Sequence, residues 1–222
     1  MTELQAQPSV PWAALAADPD TVQRYRAKVY DRGPDRCAYW LGAISDSGHG
    51  KLRAGSRKSD SSRVVTAHVL GYVIVNGADA LREGDVVRHG CDESSCQLPS
   101  HWGAGIRLDN IRDYYARSHR AGHALNDARG PAGRARAIRD AILATQAAVA
   151  AELDSIRRTA AETVAQLDTG TAAGTADAER VEAETAEEIR QFEAEAVDRI
   201  EAAIAAAIAE GNPTGATQDT LF

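Results

Sequence analysis

The segment from His89 to Asn110 constrains the fold more than any other part of the chain. It follows the pattern H-x-C-x4-C-x4-H-x8-N, formed by His89, Cys91, Cys96, His101 and Asn110. Thiolate and imidazole ligands at these spacings are typical of a tetrahedral zinc set. The third cysteine of the chain, Cys37, lies upstream and could join them from a neighbouring strand. Because three cysteines do not make a disulfide framework, metal binding is the first prediction.

The hydrophobic pattern around this segment predicts short helices and strands. We expect helices at 12–30, 67–75 and 107–118, and strands at 37–43, 51–54, 63–65 and 84–89. Residues 90–105 are rich in Gly, Ser, Pro and Cys and are predicted to form a compact loop.

The sequence changes character after a Gly/Pro break at 129–133. Apolar residues recur at steps of mostly three, four or seven through 134–167, and an apolar side continues through 177–210 opposite an acidic side. Two such helices joined by a short turn should form an antiparallel hairpin. The predicted fold class is α+β. Its predicted parts are a helical segment (1–30), a compact domain (31–125), an acidic coiled-coil-like hairpin (131–210) and a flexible tail (211–222).

The net charge of −7 argues at first against a nucleic-acid partner, but its distribution reverses that interpretation. Residues 1–140 hold 20 Lys and Arg against 16 Asp and Glu, a balance of +4. Residues 141–222 hold 5 against 16, a balance of −11, so only the front half suits phosphate. No apolar run is long enough to span a membrane and no secretion signal is visible, so a cytoplasmic location without a membrane partner is expected.

The His89–Asn110 segment resembles the His-Cys box of homing endonucleases and related phage HNH proteins, the ββα-metal nucleases. Three upstream features occur in that family's order: Cys37-Ala38-Tyr39-Trp40, Gly48-His49-Gly50 and Ala67-His68. The resemblance covers about residues 36–118. It implies a zinc-stabilised ββα-metal domain and a metal-dependent DNA endonuclease or nickase, active in the host cytoplasm if the chain is phage-encoded. One departure is Leu98-Pro99, where the family usually has Asn-Pro.

The resemblance also implies roles for individual residues. Cys37, Cys91, Cys96 and His101 would hold a structural zinc ion, and a closed four-ligand site stabilises a loop without taking part in chemistry. His89 would be the general base, because imidazole titrates near neutral pH. Asn110 would hold a catalytic Mg²⁺ ion together with the DNA phosphate. A basic residue near that phosphate is also expected, with Arg53, Arg57 and Arg63 as open alternatives. His49 and His68 are interpreted as structural.

Contacts to double-stranded DNA are predicted in two regions. The hairpin 48–63 would enter the major groove with Lys51, Arg53, Arg57, Lys58 and Arg63. A second basic patch, formed by Arg129, Arg134, Arg136 and Arg139, would contact backbone phosphates.

The last five residues resemble the bacterial sliding-clamp-binding motif Q-x-x-L-F, in which Gln218, Leu221 and Phe222 would contact the clamp. Two alternatives to a nuclease stay open. One is a zinc-stabilised DNA-binding module that has lost catalysis, favoured by Leu98, and is tethered to the replication clamp. The other is an assembly protein that forms homo-oligomers through the helical hairpin.

Overall fold

The computed structural model describes residues 10–56, 58, 61–118, 123–167 and 170–212. The chain divides into two compact units. Of the described residues, the first unit contains those from 10 to 139 together with 210–212, and the second contains those from 140 to 209. The predicted site residues Arg57, Gln218, Leu221 and Phe222 lie outside the described residues.

Two short helices begin the described part of the first unit: α1 (Trp12–Ala17) and α2 (Pro19–Arg26). The prediction of one helix over 12–30 is wrong, because a proline lacks the backbone N–H and disfavours helical geometry in the residue before it. Asp18 instead begins α2 as its N-cap, and its carboxylate accepts a hydrogen bond from the backbone N–H of Thr21 at 3.2 Å.

Small antiparallel sheets follow. Strand β1 (Val29–Tyr30) pairs with β2 (Tyr39–Trp40), and a second sheet contains β3 (Ala43–Ile44), β4 (Gly50–Ala54) and β5 (Arg63–Thr66) in that order. Side chains alternate between the two faces of a strand. Leu52, Ala54 and Val65 are buried on the core face of this second sheet.

The helix α3 (Ala67–Asn76) continues directly from β5 and covers that core. Trp40 and Leu70 are completely buried there beside Leu15. A side chain at Gly71 would collide with the Tyr25 hydroxyl and the Trp102 ring, so this glycine allows close packing against α3. The core therefore fixes the start of α3 relative to the strands.

The predicted His-Cys segment forms a β-hairpin followed by a helix. Strand β6 (Val86–His89) pairs antiparallel with β7 (Trp102–Gly105), with His89 opposite Trp102, and α4 (Arg107–Arg117) follows. The prediction of a loop over residues 90–105 is wrong for its last four residues, because they form β7. Two of the four residues of β7 are glycines of low strand propensity, so pairing with β6 orders this strand.

Two long helices complete the described chain: α5 (Gly130–Ala165) and α6 (Ala172–Gly211). Within the second unit they are antiparallel, since Arg199 of α6 forms an ion pair with Glu152 of α5 at 2.7 Å while residues 182–189 line a cavity with residues 157–165. At the end of α6, Ala128 N donates to Gly211 O at 2.9 Å, which joins residues 210–212 to the first unit.

These elements confirm the coarse prediction of a mixed fold, with small antiparallel sheets and a long helical region. Among the described residues, no helix combines the length and the apolar character needed to cross a membrane.

Candidate functional site

The loop between β6 and β7 carries three of the four predicted zinc ligands, and backbone pairing brings the fourth to them. Gln97 N donates to Ala38 O at 2.7 Å, and Trp40 N donates to Ser95 O at 3.1 Å. These bonds attach the loop to the segment that starts at Cys37. The distant cysteine therefore reaches the loop through strand pairing.

The ligand atoms of Cys37, Cys91, Cys96 and His101 all lie within 4.8 Å of one another. His101 Nδ1 lies 3.6 Å from Cys37 Sγ and 3.5 Å from Cys96 Sγ. In addition, Leu98 N donates to Cys96 Sγ at 3.4 Å. The four residues could therefore hold a metal ion, and their donor set is compatible with structural zinc.

The three sulfurs share charge among themselves. Hydrogen bonds from Cys37 and Cys96 lower the pKa of Cys91 to about 2. In return, the hydrogen bond to Cys91 raises the pKa of Cys37 to about 12, and hydrogen bonds with both neighbours raise the pKa of Cys96 strongly. These opposite directions show that the three thiols do not ionise independently of one another. A bound cation would release the remaining protons, because metals bind thiolates.

Leu98 occupies the position at which the His-Cys box family, which this segment resembles, usually has asparagine. It is 8% exposed and packs with Ala38 and Cys96, with Val29 against the same cluster. The position therefore supports the loop between β6 and β7 through apolar contact.

His89 ends β6 and is 8% exposed. Its Nε2 bonds to Cys96 O at 3.0 Å, and the same carbonyl accepts from Trp102 Nε1 at 3.2 Å. Since a carbonyl only accepts hydrogen bonds, Nε2 carries the proton and Nδ1 keeps a lone pair. Cys96 thus connects the metal-ligand group to the orientation of His89.

The structure brings His49 and His68 to His89, although the sequence interpretation gave them no part in chemistry. The ring centroids are 4.4 Å apart for His68 and His89, 5.0 Å for His49 and His68, and 5.8 Å for His49 and His89. One nitrogen from each ring lies within 4.8 Å of the others. Burial lowers the pKa of His49 to about 4 and also lowers the pKa values of His68 and His89. We call these residues the histidine cluster.

No spacing rule in the sequence indicates the histidine cluster. His49 lies in the turn before β4, His68 in the first turn of α3, and His89 at the end of β6. Only the strand register and the path from β5 into α3 bring them together.

Asn110 lies exposed in the first turn of α4. Asp113 and Arg117 share its helical face, being three and seven residues further on. Arg117 pairs with Asp92 at 2.7 Å and donates to Gly90 O at 3.3 Å, and Asp113 pairs with Arg88. The face that carries Asn110 therefore contacts β6 and the start of the metal-binding loop.

Basic residues of the predicted DNA-binding hairpin lie on both faces of the sheet. Lys51 and Arg53 lie on the face opposite the core, and Lys51 Nζ donates to Thr66 Oγ1 at 2.9 Å. Arg63 pairs with Ala54 and so falls on the other face by strand alternation. Lys58 is exposed. A cavity of about 260 Å³ lies beside Lys51 and Thr66 and is also lined by His49 and His68.

The prediction that Arg134 contacts DNA needs correction. This side chain is buried, and its Nε lies 2.7 Å from a Glu93 carboxylate oxygen while its Nη1 lies 3.5 Å from Asp127. The buried carboxylates hold the guanidinium inside the first unit, away from solvent phosphates.

The other arginines of the predicted second patch differ in exposure. Arg136 is exposed and lies 3.4 Å from Asp46. Arg129 forms hydrogen bonds at 2.9 Å to both oxygens of Asp127, and Arg139 is half-buried and donates to Gly42 O at 3.4 Å.

No protein-family model, curated protein or solved structure matches the chain. The geometry of these two clusters of possible metal ligands therefore carries the functional argument.

Proposed function

We propose that the chain is a metal-dependent DNA endonuclease or nickase of the HNH His-Cys box type. One observation carries this proposal. Cys96 offers its sulfur to the group formed with Cys37, Cys91 and His101, and its carbonyl accepts from Nε2 of His89. A structural zinc ion in that group would therefore hold the imidazole in one tautomer and one orientation.

The role of His89 follows from that tautomer. Its Nδ1 lone pair would take a proton from a water molecule as the water oxygen bonds to phosphorus and the P–O ester bond breaks. The leaving oxygen would then receive a proton from solvent. Asn110 would hold Mg²⁺ through its amide oxygen, and that ion would neutralise charge on the phosphate.

Substrate would approach the face opposite the core of the β3–β5 sheet. Lys51 and Arg53 are neighbours on that face, and Lys51 lines the cavity that also contains His49 and His68. Phosphate contacts by such residues provide affinity that falls steeply with salt and does not depend on sequence. Exposed Lys58 and Arg136 would add to the same attraction.

The test is relaxation or linearisation of a supercoiled plasmid by the full chain with Mg²⁺. We expect His89→Ala to abolish cutting while the zinc content per chain is unchanged. His123→Ala is the matched control, because it removes a partly exposed imidazole outside both ligand clusters and should still cut. Equal cutting by His89→Ala and the parent chain would end the proposal.

A second candidate function is a zinc-stabilised DNA-binding module without catalysis, tethered to the sliding clamp. The apolar packing of Leu98 favours it, since this residue replaces the asparagine usual in the resembled family. It predicts DNA binding without strand breaks. Replacing Lys51 and Arg53 with alanine should then reduce the slope of log affinity against log salt by about 0.9 for each phosphate that the variant no longer neutralises. Mg²⁺-dependent nicking that requires His89 would exclude this module.

A further inference from the structure

We propose that His49, His68 and His89 form a second metal site, which binds one borderline divalent transition-metal ion through three imidazole nitrogens. The site shares no ligand with the group formed by Cys37, Cys91, Cys96 and His101, which we call the Cys37–His101 group. It goes beyond the proposed function, because its occupancy does not depend on DNA cleavage.

The backbone fixes the tautomers of two of these imidazoles. His68 Nε2 bonds to Val87 O at 3.2 Å, as His89 Nε2 does to Cys96 O. Both carbonyls only accept, so both Nε2 atoms carry protons and both Nδ1 atoms keep lone pairs. His68 is 4% exposed, yet its Nδ1 has no hydrogen-bond partner within the described ranges. Buried polar atoms nearly always have partners, so this nitrogen points to a missing ligand.

A chain of hydroxyl groups fixes the third tautomer. Ser45 Oγ donates to His49 O at 3.1 Å, which uses its only proton. Ser47 Oγ, 3.0 Å away, must then donate to Ser45 Oγ and accept from His49 Nδ1, which lies 2.9 Å from it. His49 Nε2 therefore keeps its lone pair.

Each imidazole consequently has one nitrogen held by an oxygen acceptor and one nitrogen left free. This is the usual arrangement of metal-ligating histidines, whose other N–H donates to a carbonyl or a polar side chain. Neutral imidazoles suit Zn²⁺, Co²⁺ or Ni²⁺, whereas Mg²⁺ prefers oxygen ligands. The chemistry of the donor set thus selects a transition metal.

The positions of the rings are compatible with one ion. A Zn–N bond is about 2.1 Å. Tetrahedral bonds of that length place the nitrogens roughly 3.4 Å apart. One nitrogen of each ring lies within 4.8 Å of the others, so small changes in the side-chain torsions would bring all three rings to one ion. The His49 side chain has the most room to supply this adjustment, because it is less buried than the other two.

Three protein ligands leave one coordination position for a small ligand. The cavity of about 260 Å³ lined by His49 and His68 is also lined by Lys51 and Asp85, whose charges are opposite. A neutral oxygen ligand such as water is therefore the ligand class that this position would accept. A filled site would occupy His89 Nδ1, so metal binding here and proton transfer by His89 exclude each other.

The test is a Co²⁺ titration of the full chain after a single equivalent of Zn²⁺ has been added, which the softer thiolate ligands of Cys37, Cys91 and Cys96 bind first. We expect one equivalent of Co²⁺ to bind, with visible ligand-field absorption but no thiolate-to-cobalt charge-transfer band. His49→Ala should lose this binding and keep its Zn²⁺. His123→Ala is the matched control and should bind Co²⁺ like the parent chain.

A gentler variant keeps the test independent of folding. Ser47 is exposed, and Ser47→Ala removes the acceptor of His49 Nδ1 together with one hydrogen bond to Ser45 Oγ. We expect about 10-fold to 100-fold weaker Co²⁺ binding, as for other metal-ligating histidines whose second nitrogen loses its acceptor. A zinc-loaded parent chain that takes up no Co²⁺, or equal uptake by His49→Ala, would refute the site.

Separate readouts distinguish the two proposals. A chain that binds Co²⁺ at this site, but does not cut DNA with Mg²⁺ before Co²⁺ is added, supports the histidine site and contradicts the nuclease. A chain that cuts DNA with Mg²⁺ but takes up no Co²⁺ after one equivalent of Zn²⁺ contradicts the histidine site alone.

Discussion

Replacing Arg134 with methionine should strongly destabilise the first unit. The guanidinium pairs with Glu93 at 2.7 Å, and the two side chains are only 8% and 4% exposed. Burial raises the pKa of Glu93, and the charge of Arg134 acts in the opposite direction. Methionine would leave a buried carboxylate without its partner, which typically costs about 3–5 kcal/mol. We therefore expect a loss of this size in the free energy of unfolding.

The assay is urea denaturation followed by tryptophan fluorescence. All three tryptophans (Trp12, Trp40 and Trp102) belong to the first unit, so the signal reports on that unit. Arg136→Met is the matched control, because Arg136 lies two residues further along α5 and forms an exposed ion pair with Asp46 at 3.4 Å. Its removal should cost no more than about 1 kcal/mol.

A double variant separates the effect of pairing from the effect of packing. Glu93→Gln in the Arg134→Met background removes the stranded charge and should restore part of the stability. If the Arg134→Met variant unfolds like the parent chain but binds DNA more weakly, the stabilising role of the Arg134–Glu93 pair is refuted. That result would return Arg134 to the DNA-binding role that its sequence context predicts.

Two further predictions concern metal removal and acid. Chelation of the metal, or the substitution Cys96→Ser, should lower the thermal unfolding midpoint. Added Zn²⁺ should restore the midpoint for the parent chain only. A midpoint that does not change with chelator would contradict the role of the Cys37–His101 group. Burial opposes ionisation of Asp127, but hydrogen bonds from Arg129 lower its pKa overall. The ionised Asp127 carboxylate therefore contributes fully to the free energy of unfolding above its unfolded-state pKa near 4. This contribution is lost as the pH falls through the folded-state pKa. Asp127→Asn should reduce the decrease in the free energy of unfolding that acid pH causes. An unchanged decrease in this variant would contradict the role of Asp127.

Local patterns in the sequence predict much of the candidate metal site in the loop between β6 and β7. Cys91, Cys96 and His101 are close in sequence, so their spacing alone indicates a shared ligand group. The long helices follow equally from apolar periodicity. Cys37 needed the family resemblance, because the pairing of Gln97 with Ala38 that positions it is not visible in spacing.

The remaining features depend on tertiary contacts. Strand β7 has weak propensity of its own and exists through its ladder with β6. Arg134 belongs to a basic run in the sequence, but its partner Glu93 lies 41 residues earlier, so counting charges could not reveal a buried pair. The histidine cluster likewise joins three elements through register, which one sequence does not display.

The hydrogen bond from Ala128 to Gly211 has a consequence for biosynthesis. Gly211 fits there because a side chain would collide with Asp127 and Arg129. Residues 210–212 belong to the first unit, so the ribosome must make the whole of residues 140–209 before these residues can bind there. Until then the first unit lacks this contact, and closing so long a segment of chain adds an entropic cost to folding.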